Sequence, residues 1–489
     1  AENYFESYLN AIDEVSKINH MKNLSHGVSI KISALHPRYE TRKINQVDSE
    51  LIPKLKKLIN HAYSKDVEIT IDAEEQDRLS LSLHIIKRLA FEKNIKDWPN
   101  FGIALQAYGK RSFDAIEWLD HVLEKRANMH LRLVKGAYWD YEIKHAQVYG
   151  YDDYPVFSKK SITDISYIAC AKRILKNKNI YPKFATHNAH TISSIHHIGQ
   201  DSNYEFQRLF GMGELLYKSA SNILKLNKSP SVYAPIGSYK DLLPYLVRRL
   251  LENGANSSFI NRLLDPETDS EWLSQNPFIR LESEKKDIPL PKNIFKKRLN
   301  SSGMDITEQQ NLENLSKKLK IFEEKKVNAE SIYIGKKKSN KKEFEVTSIS
   351  SGLNLGTIQY DDPKTIKDSL EKNDSDQWAK KSVEERSEIL NNIANAIEEE
   401  PYELMFYLIN EAGKTIQNAI DEIREGVDFL RYYSEQAIEI SKERELDGPT
   451  GEDNKISYDP KGRFLCISPW NFPVAILIAQ ISAALSCGN

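Results

Sequence analysis

Across 489 residues, 68 lysines and arginines nearly balance 70 aspartates and glutamates, for a formal net charge of −2. So even a balance leaves no electrostatic footprint for nucleic acid or for an acidic partner, and no apolar run reaches the roughly 18 residues of a membrane span. The three cysteines, Cys170, Cys466 and Cys487, lie far apart without CxxC spacing, which argues against a disulfide framework or zinc site and fits a reducing cytosol.

The length allows about two to four domains. The chain opens in a helical pattern, Tyr4–Lys17. From residue 28 to about 236, short β-rich runs alternate with amphipathic helices. The runs are Val28–Ser33, Glu68–Ala73, Gly102–Ala107, His130–Val134, Lys183–His187, Glu205–Phe210 and Val232–Ile236. That rhythm is the βα signature of a parallel sheet. Seven strands fall one short of a (β/α)8 barrel, so the first strand is expected upstream of Ala1. An insertion surrounds Tyr149–Ser161.

Polar residues recur where the strands end: Lys31, Asp72, Gln106, Arg132 with Lys135, His187 and Tyr233. In parallel barrels that rim carries the chemistry, because side chains from successive strands converge there. Just beyond lies Tyr245-Leu-Val-Arg-Arg-Leu-Leu-Glu252, where Tyr245, Arg248, Arg249 and Glu252 share one helix face. Two adjacent guanidiniums on an apolar helix call for an anion, and a carboxylate matches the arginine fork. The barrel is expected to span residues 1–270.

Residues 271–343 are rich in Lys, Asn, Ser and Glu and read as a connector with helices around Ile306–Lys326. The lysine-rich run 335–342 reads as solvated. A second domain, 344–489, begins with strands Phe344–Ser350 and Gly356–Tyr360. Helices Pro363–Lys372, Val383–Glu399, Tyr402–Ala412 and Ile416–Lys442 follow, then a strand at Arg463–Ile467. The chain stops at Asn489, straight after an apolar run, and both ends read as cut.

Two tempting motifs fail. Glu411-Ala-Gly-Lys-Thr415 has Leu408 where a phosphate loop needs its first glycine. Gly211-Met-Gly-Glu lacks the third glycine of a dinucleotide fingerprint. His187, His190, His196 and His197 lack carboxylates at ligand spacing, so no metal is expected. On the residues alone, Lys31 also admits an aldolase-type barrel in which it forms a Schiff base; a non-catalytic fragment and a DNA-binding regulator are further alternatives.

The strongest signal is collective. Gly27-Val-Ser-Ile-Lys-Ile-Ser-Ala-Leu-His-Pro-Arg-Tyr39, Ile71-Asp-Ala-Glu-Glu75, Gln106-Ala-Tyr108 and Arg132-Leu-Val-Lys-Gly-Ala-Tyr-Trp139 occur in that order. Ala185-Thr-His-Asn-Ala-His190, Tyr233-Ala-Pro-Ile-Gly237 and the double-arginine helix follow. This series resembles the proline utilization A family of bifunctional flavoenzymes. Glu411-Ala-Gly-Lys414, Asp428-Phe-Leu-Arg-Tyr-Tyr433 and Ile467-Ser-Pro-Trp-Asn-Phe-Pro473 resemble the N-terminal part of an aldehyde dehydrogenase.

The resemblance implies oxidation of L-proline to 1-pyrroline-5-carboxylate, with FAD as acceptor and a membrane quinone as final oxidant. It implies Lys31, Arg248 and Arg249 as carboxylate grips, and Tyr233, Tyr245 and Leu209 as walls for the ring. Arg132 is expected at the flavin, with Asp72 orienting it or Tyr233. Gln106, Gly136, Trp139, Ser158, Lys160, His187, Asn188 and Glu252 match flavin-contact positions. Asn471 matches an oxyanion-stabilising asparagine. NAD-dependent oxidation of L-glutamate γ-semialdehyde is expected only from a longer protein, since no nucleophile follows and Cys487 is not one. The resemblance admits a homodimer, calls for no nucleic acid, and suggests a cytoplasmic or peripheral membrane location.

Overall fold

The computed structural model describes residues 1–22, 25–126, 128–226, 228–238, 240, 242–243, 245, 247, 274–284, 288–332, 342–372 and 376–489. Contacts divide the chain into two units, one of residues 1–144 and 154–288, the other of 145–153 and 289–489.

The first unit is built on a parallel seven-stranded sheet in strict chain order. Its strands are β1 (Gly27–Ile30), β2 (Glu68–Ile71), β3 (Phe101–Gln106), β4 (Met129–Val134), β5 (Ile180–Ala185), β6 (Glu205–Leu209) and β7 (Ser231–Tyr233). The first helix, Glu2–Lys22, covers the whole of Tyr4–Lys17. Helices cross over between strands, as parallel pairing requires. In Ile52–Ser64, Leu55, Leu58, Ile59 and Ala62 recur at helical spacing and are buried. Ile85, Ile86 and Leu89 in Leu79–Ala90 do the same, as do Ile116, Leu119 and Leu123 in Ser112–Leu123.

The strands alternate with period two. Ile69, Ile71, Leu131, Leu133, Phe184 and Phe206 join the apolar core. The intervening Ser29, Thr70, His130, Arg132, Lys183, Glu205 and Gln207 bond to one another across the sheet's other face. Lys183 Nζ lies 2.5 and 2.6 Å from the two Glu68 oxygens. A charged, hydrogen-bonded layer therefore fills the space that Val, Ile and Leu usually occupy inside such sheets.

Several strands end sooner than their composition predicts. β1 stops at Ile30 because Ile32–Ala34 tightens into a 3₁₀ turn. β7 stops at Tyr233, two residues before Pro235, which has no N–H for a ladder.

In the second unit, the helices Val383–Glu399, Ile416–Ile440 and Ala475–Ser486 bury Leu390, Ala394, Val427 and Leu430 with Ile478 and Leu485 against them. A capping box between Ser382 and Glu385 starts the first of these. Beside them stands a three-stranded sheet ordered β8 (Val327–Ala329), β10 (Asn354–Tyr360), β9 (Lys342–Thr347).

Within the stretch 271–343, helix Pro277–Ser283 groups with the first unit and the described residues from 289 onward with the second. The reason is burial, since Ile306 and Leu315 pack with Met405, Leu408 and Ile420. One expectation is corrected here: Arg463–Ile467 is not a strand, and Phe464, Leu465 and Ile467 stand exposed. Among the described residues no strand pairs with it, and β-propensity without a ladder partner fixes nothing. No helix among the described residues is long and apolar enough to cross a membrane.

Candidate active site

The first unit's candidate site is organised around Arg132, a buried arginine in β4. Its Nη1 donates to Asp72 Oδ1 at 2.8 Å, its Nε to Gln207 Oε1 at 2.7 Å and its Nη2 to Ser29 Oγ at 3.0 Å. The Tyr233 ring lies against the guanidinium, 5.1 Å from its carbon, and the Tyr233 hydroxyl donates to Asp72 Oδ2 at 3.2 Å. Asp72 thus orients both Arg132 and Tyr233, one with each oxygen.

Burial raises the Asp72 carboxyl, and Arg132 and the Tyr233 hydrogen bond oppose that rise. Burial also raises the Tyr233 phenol, and Asp72 adds to it, so the hydroxyl keeps its proton to donate. Tyr245 is close enough to Tyr233 to contribute to the same rise.

Lys31 follows β1 directly. Its backbone N–H donates to Tyr8 Oη at 3.0 Å, and its ammonium stands 5.4 Å from the Tyr138 ring centre. Burial alone would lower the Lys31 ammonium. The Tyr138 hydroxyl, Glu74 and Glu75 outweigh it, and the net shift is upward.

The loops behind this rim are tied together by amide and carboxyl groups. Gln106 donates through Nε2 to the Glu74 carbonyl at 2.7 Å and accepts the Ala137 N–H at 3.1 Å. Gly136 has φ of +150°, and a Cβ there would come within 2.4 Å of the Tyr108 ring. Glycine is therefore required on two counts. Trp139 donates through Nε1 to the Phe157 carbonyl at 3.0 Å, fixing the segment that carries Ser158 and Lys160 into helix Lys160–Lys176.

Beyond β5, His187 Nε2 accepts the Leu209 N–H at 3.1 Å, which leaves the proton of the neutral ring on Nδ1. Asn188 caps the helix Ala189–Ile198 through Thr191. Lys135 pairs with Asp164, which also meets Arg280 at 3.3 Å. Arg248, Arg249 and Glu252 lie outside the described residues. Among the described residues no group of three or more His, Cys, Asp or Glu is placed to hold a metal ion.

Sequence reasoning missed Ser29, Gln207, Tyr8, Tyr138 and Glu142. The first two had a legible signal, a polar residue at every second position of β1 and β6, which the attention to strand ends passed over. Glu142 had none. It is 1% exposed and accepts the Gln76 N–H at 2.8 Å and the Tyr108 hydroxyl at 3.3 Å.

In the second unit Lys414 meets Glu422 at 2.7 Å and the Phe472 ring at 4.1 Å. Glu422 also accepts the Val474 and Ala475 N–H groups, which start the helix Ala475–Ser486. The Glu-Ala-Gly-Lys segment is thus a structural clamp. Asn471 is exposed.

Residues 1–262 match the family described as Proline dehydrogenase, and residues 336–489 match the Aldehyde dehydrogenase family. The chain belongs to the proline dehydrogenase family, joined in the same polypeptide to an aldehyde dehydrogenase segment. Its full length is 39% identical to the bifunctional protein PutA of Salmonella typhimurium and 40% identical to that of Escherichia coli. It spans 38% of the length of each of these relatives. A crystal structure of Bradyrhizobium japonicum proline utilization A superposes with a TM-score of 0.86 at 37% identity, covering 99% of this chain and 48% of that one. The first unit is accordingly an α/β domain of the (β/α)8-barrel class.

Proposed function

We propose that the first unit oxidises L-proline to 1-pyrroline-5-carboxylate with FAD, and that the electrons pass to a quinone at a membrane surface. The observation that carries this reading is the Asp72–Arg132–Tyr233 constellation beside Lys31, in a chain of the proline dehydrogenase family. FAD, when bound, supplies the hydride acceptor for the carbon next to the proline nitrogen.

The chain's own residues orient the substrate and hold charge. Arg248, Arg249 and Lys31 grip the proline carboxylate, while Tyr233, Tyr245 and Leu209 wall the apolar ring. Arg132, half-neutralised by Asp72, stabilises negative charge at the flavin. The loop assigned to the flavin is held in place by the chain itself: Gly136 packs directly on the Tyr108 ring, and the Gln106 amide fixes the Ala137 peptide next to it. Gln106, Gly136, Trp139, Ser158, Lys160, His187, Asn188 and Glu252 are the residues assigned to it.

The aldolase alternative loses ground on one observation. A Schiff-base lysine needs a neutral amine near neutral pH, whereas the surroundings of Lys31 hold its ammonium protonated.

The second unit is assigned to NAD-dependent oxidation of L-glutamate γ-semialdehyde in a protein of its relatives' length, with Asn471 stabilising the oxyanion. Proline-dependent reduction of a quinone analogue tests the main reading. In that assay Arg248→Met and Arg249→Met are each expected to raise the proline KM by about 30-fold or more, as for one lost member of a desolvated charge pair. A wild-type KM in both variants would overturn the carboxylate assignment.

A further inference from the structure

Arg132 is held from three sides, and one of the three has a support of its own. Gln207 sits in β6 opposite Ala185 on one neighbour and Ser231 on the other. Its amide is buried and both ends are engaged: Oε1 accepts from Arg132 Nε, and Nε2 donates to Glu205 Oε1 at 2.8 Å. Glu205 in turn receives the Ser231 hydroxyl at 3.1 Å and the Tyr181 hydroxyl at 3.4 Å, with Lys183 Nζ at 3.6 Å.

A carboxylate on one side and a guanidinium on the other leave this amide a single orientation. Turned by half a rotation, its NH₂ would face a cation and its carbonyl an anion. Glu205 also polarises the amide so that Oε1 is a stronger acceptor for Arg132. Asp72 fixes Nη1 and Ser29 holds Nη2 at the outer end of the group, but Ser29 is a hydroxyl free to rotate, and neither contact anchors the guanidinium at its root. The Nε contact sets the plane.

We infer that Gln207, backed by Glu205, is the positioning residue that fixes how Arg132 presents its guanidinium to the bound flavin. The inference rests on the flavin reading above.

Gln207→Glu supplies a test that a merely structural role would not answer. Protonated, the new carboxyl copies the amide, its O–H donating to Glu205 and its carbonyl accepting from Arg132. Ionised, it faces Glu205 as a like charge and adds a second anion beside an arginine already paired with Asp72. Apoprotein of the wild type, Gln207→Leu, Gln207→Glu and Arg132→Met is titrated with FAD by flavin fluorescence, from about pH 5 to about pH 9, a range that reaches the values of about 8–9 documented for buried glutamates. Each affinity is read as a ratio to wild type at the same pH.

Gln207→Leu is expected to bind FAD roughly 10- to 100-fold more weakly at every pH, the loss of one hydrogen bond to a charged group. Gln207→Glu is expected near wild type at the acid end and progressively weaker toward the alkaline end. Should Gln207→Leu fail to fold, the pH dependence of Gln207→Glu decides alone. A flat ratio for Gln207→Glu, or wild-type affinity in Gln207→Leu, with Arg132→Met impaired, would overturn the positioning role and leave the flavin reading intact. Wild-type affinity in Arg132→Met would overturn both.

Discussion

Arg132 has its positive charge inside a protein layer that also contains Asp72, Glu205 and Glu68, so its behaviour depends on which anion sits nearest. Asp72 is that anion, and it also accepts from Tyr233. Asp72→Asn keeps an acceptor for only one of the two donors, sets an NH₂ donor against the other and removes the charge, so the fold should survive while the site is mis-set. We expect kcat/KM for proline to fall about 10- to 100-fold, the range for one charge-assisted hydrogen bond. Steady-state kinetics with circular dichroism as a fold check would show it. An unchanged kcat/KM would mean that Asp72 is only a loop contact.

At the scale of elements, the loops after β2, β3 and β4 are joined by Glu142. Burial pushes its carboxyl up to about 7, with Asp77 and Glu75 adding to the rise and the Gln76 N–H and Tyr108 hydroxyl opposing it. Tyr141 on its own helix and Arg78 beside Glu75 complete the charged surroundings. An acid raised in the folded state binds its proton more tightly there than in the unfolded chain. Its contribution to stability is therefore greatest below the ordinary value of 4.5 and is lost as pH rises through about 7. The swing is on the order of 3 kcal/mol. Urea unfolding of wild type and Glu142→Gln across that window should show the wild type losing ground to the variant as pH rises. Parallel pH curves for the two proteins would refute it.

The elements also show what a sequence discloses. Periodicity located the seven strands of the first unit's described sheet, though not β8, and Asp72, Arg132 and Tyr233 stood out because polar groups at strand ends contrast with apolar runs. Gly136 was legible only through family resemblance, since its need arises from a tyrosine 28 positions earlier in the chain. Arg463–Ile467 misled because a ladder partner is a tertiary fact. Glu142 stayed hidden because its role depends on groups that folding alone brings near, while Gln207 was marked by the polar alternation of β6 but showed its partner only in the folded sheet.

For the molecule as a whole, the first unit carries an ionic layer inside its sheet. Lys183 is almost fully buried against Glu68. Removing one member strands the other, so Lys183→Met should destabilise the first unit by about 3–5 kcal/mol, whereas pairing it with Glu68→Gln should recover most of that loss. Urea midpoints of the single and double variants measure this. A single variant as stable as wild type would show that water already compensates Glu68.

The electron transfer proposed above runs from proline to a flavin in the first unit. Its most direct test is the visible absorption spectrum of the purified, flavin-loaded protein before and after anaerobic addition of L-proline. The oxidised flavin band is expected to bleach on adding proline, and not to bleach in Arg132→Met at the same flavin loading. A protein that binds FAD yet keeps its oxidised spectrum with excess proline would contradict it.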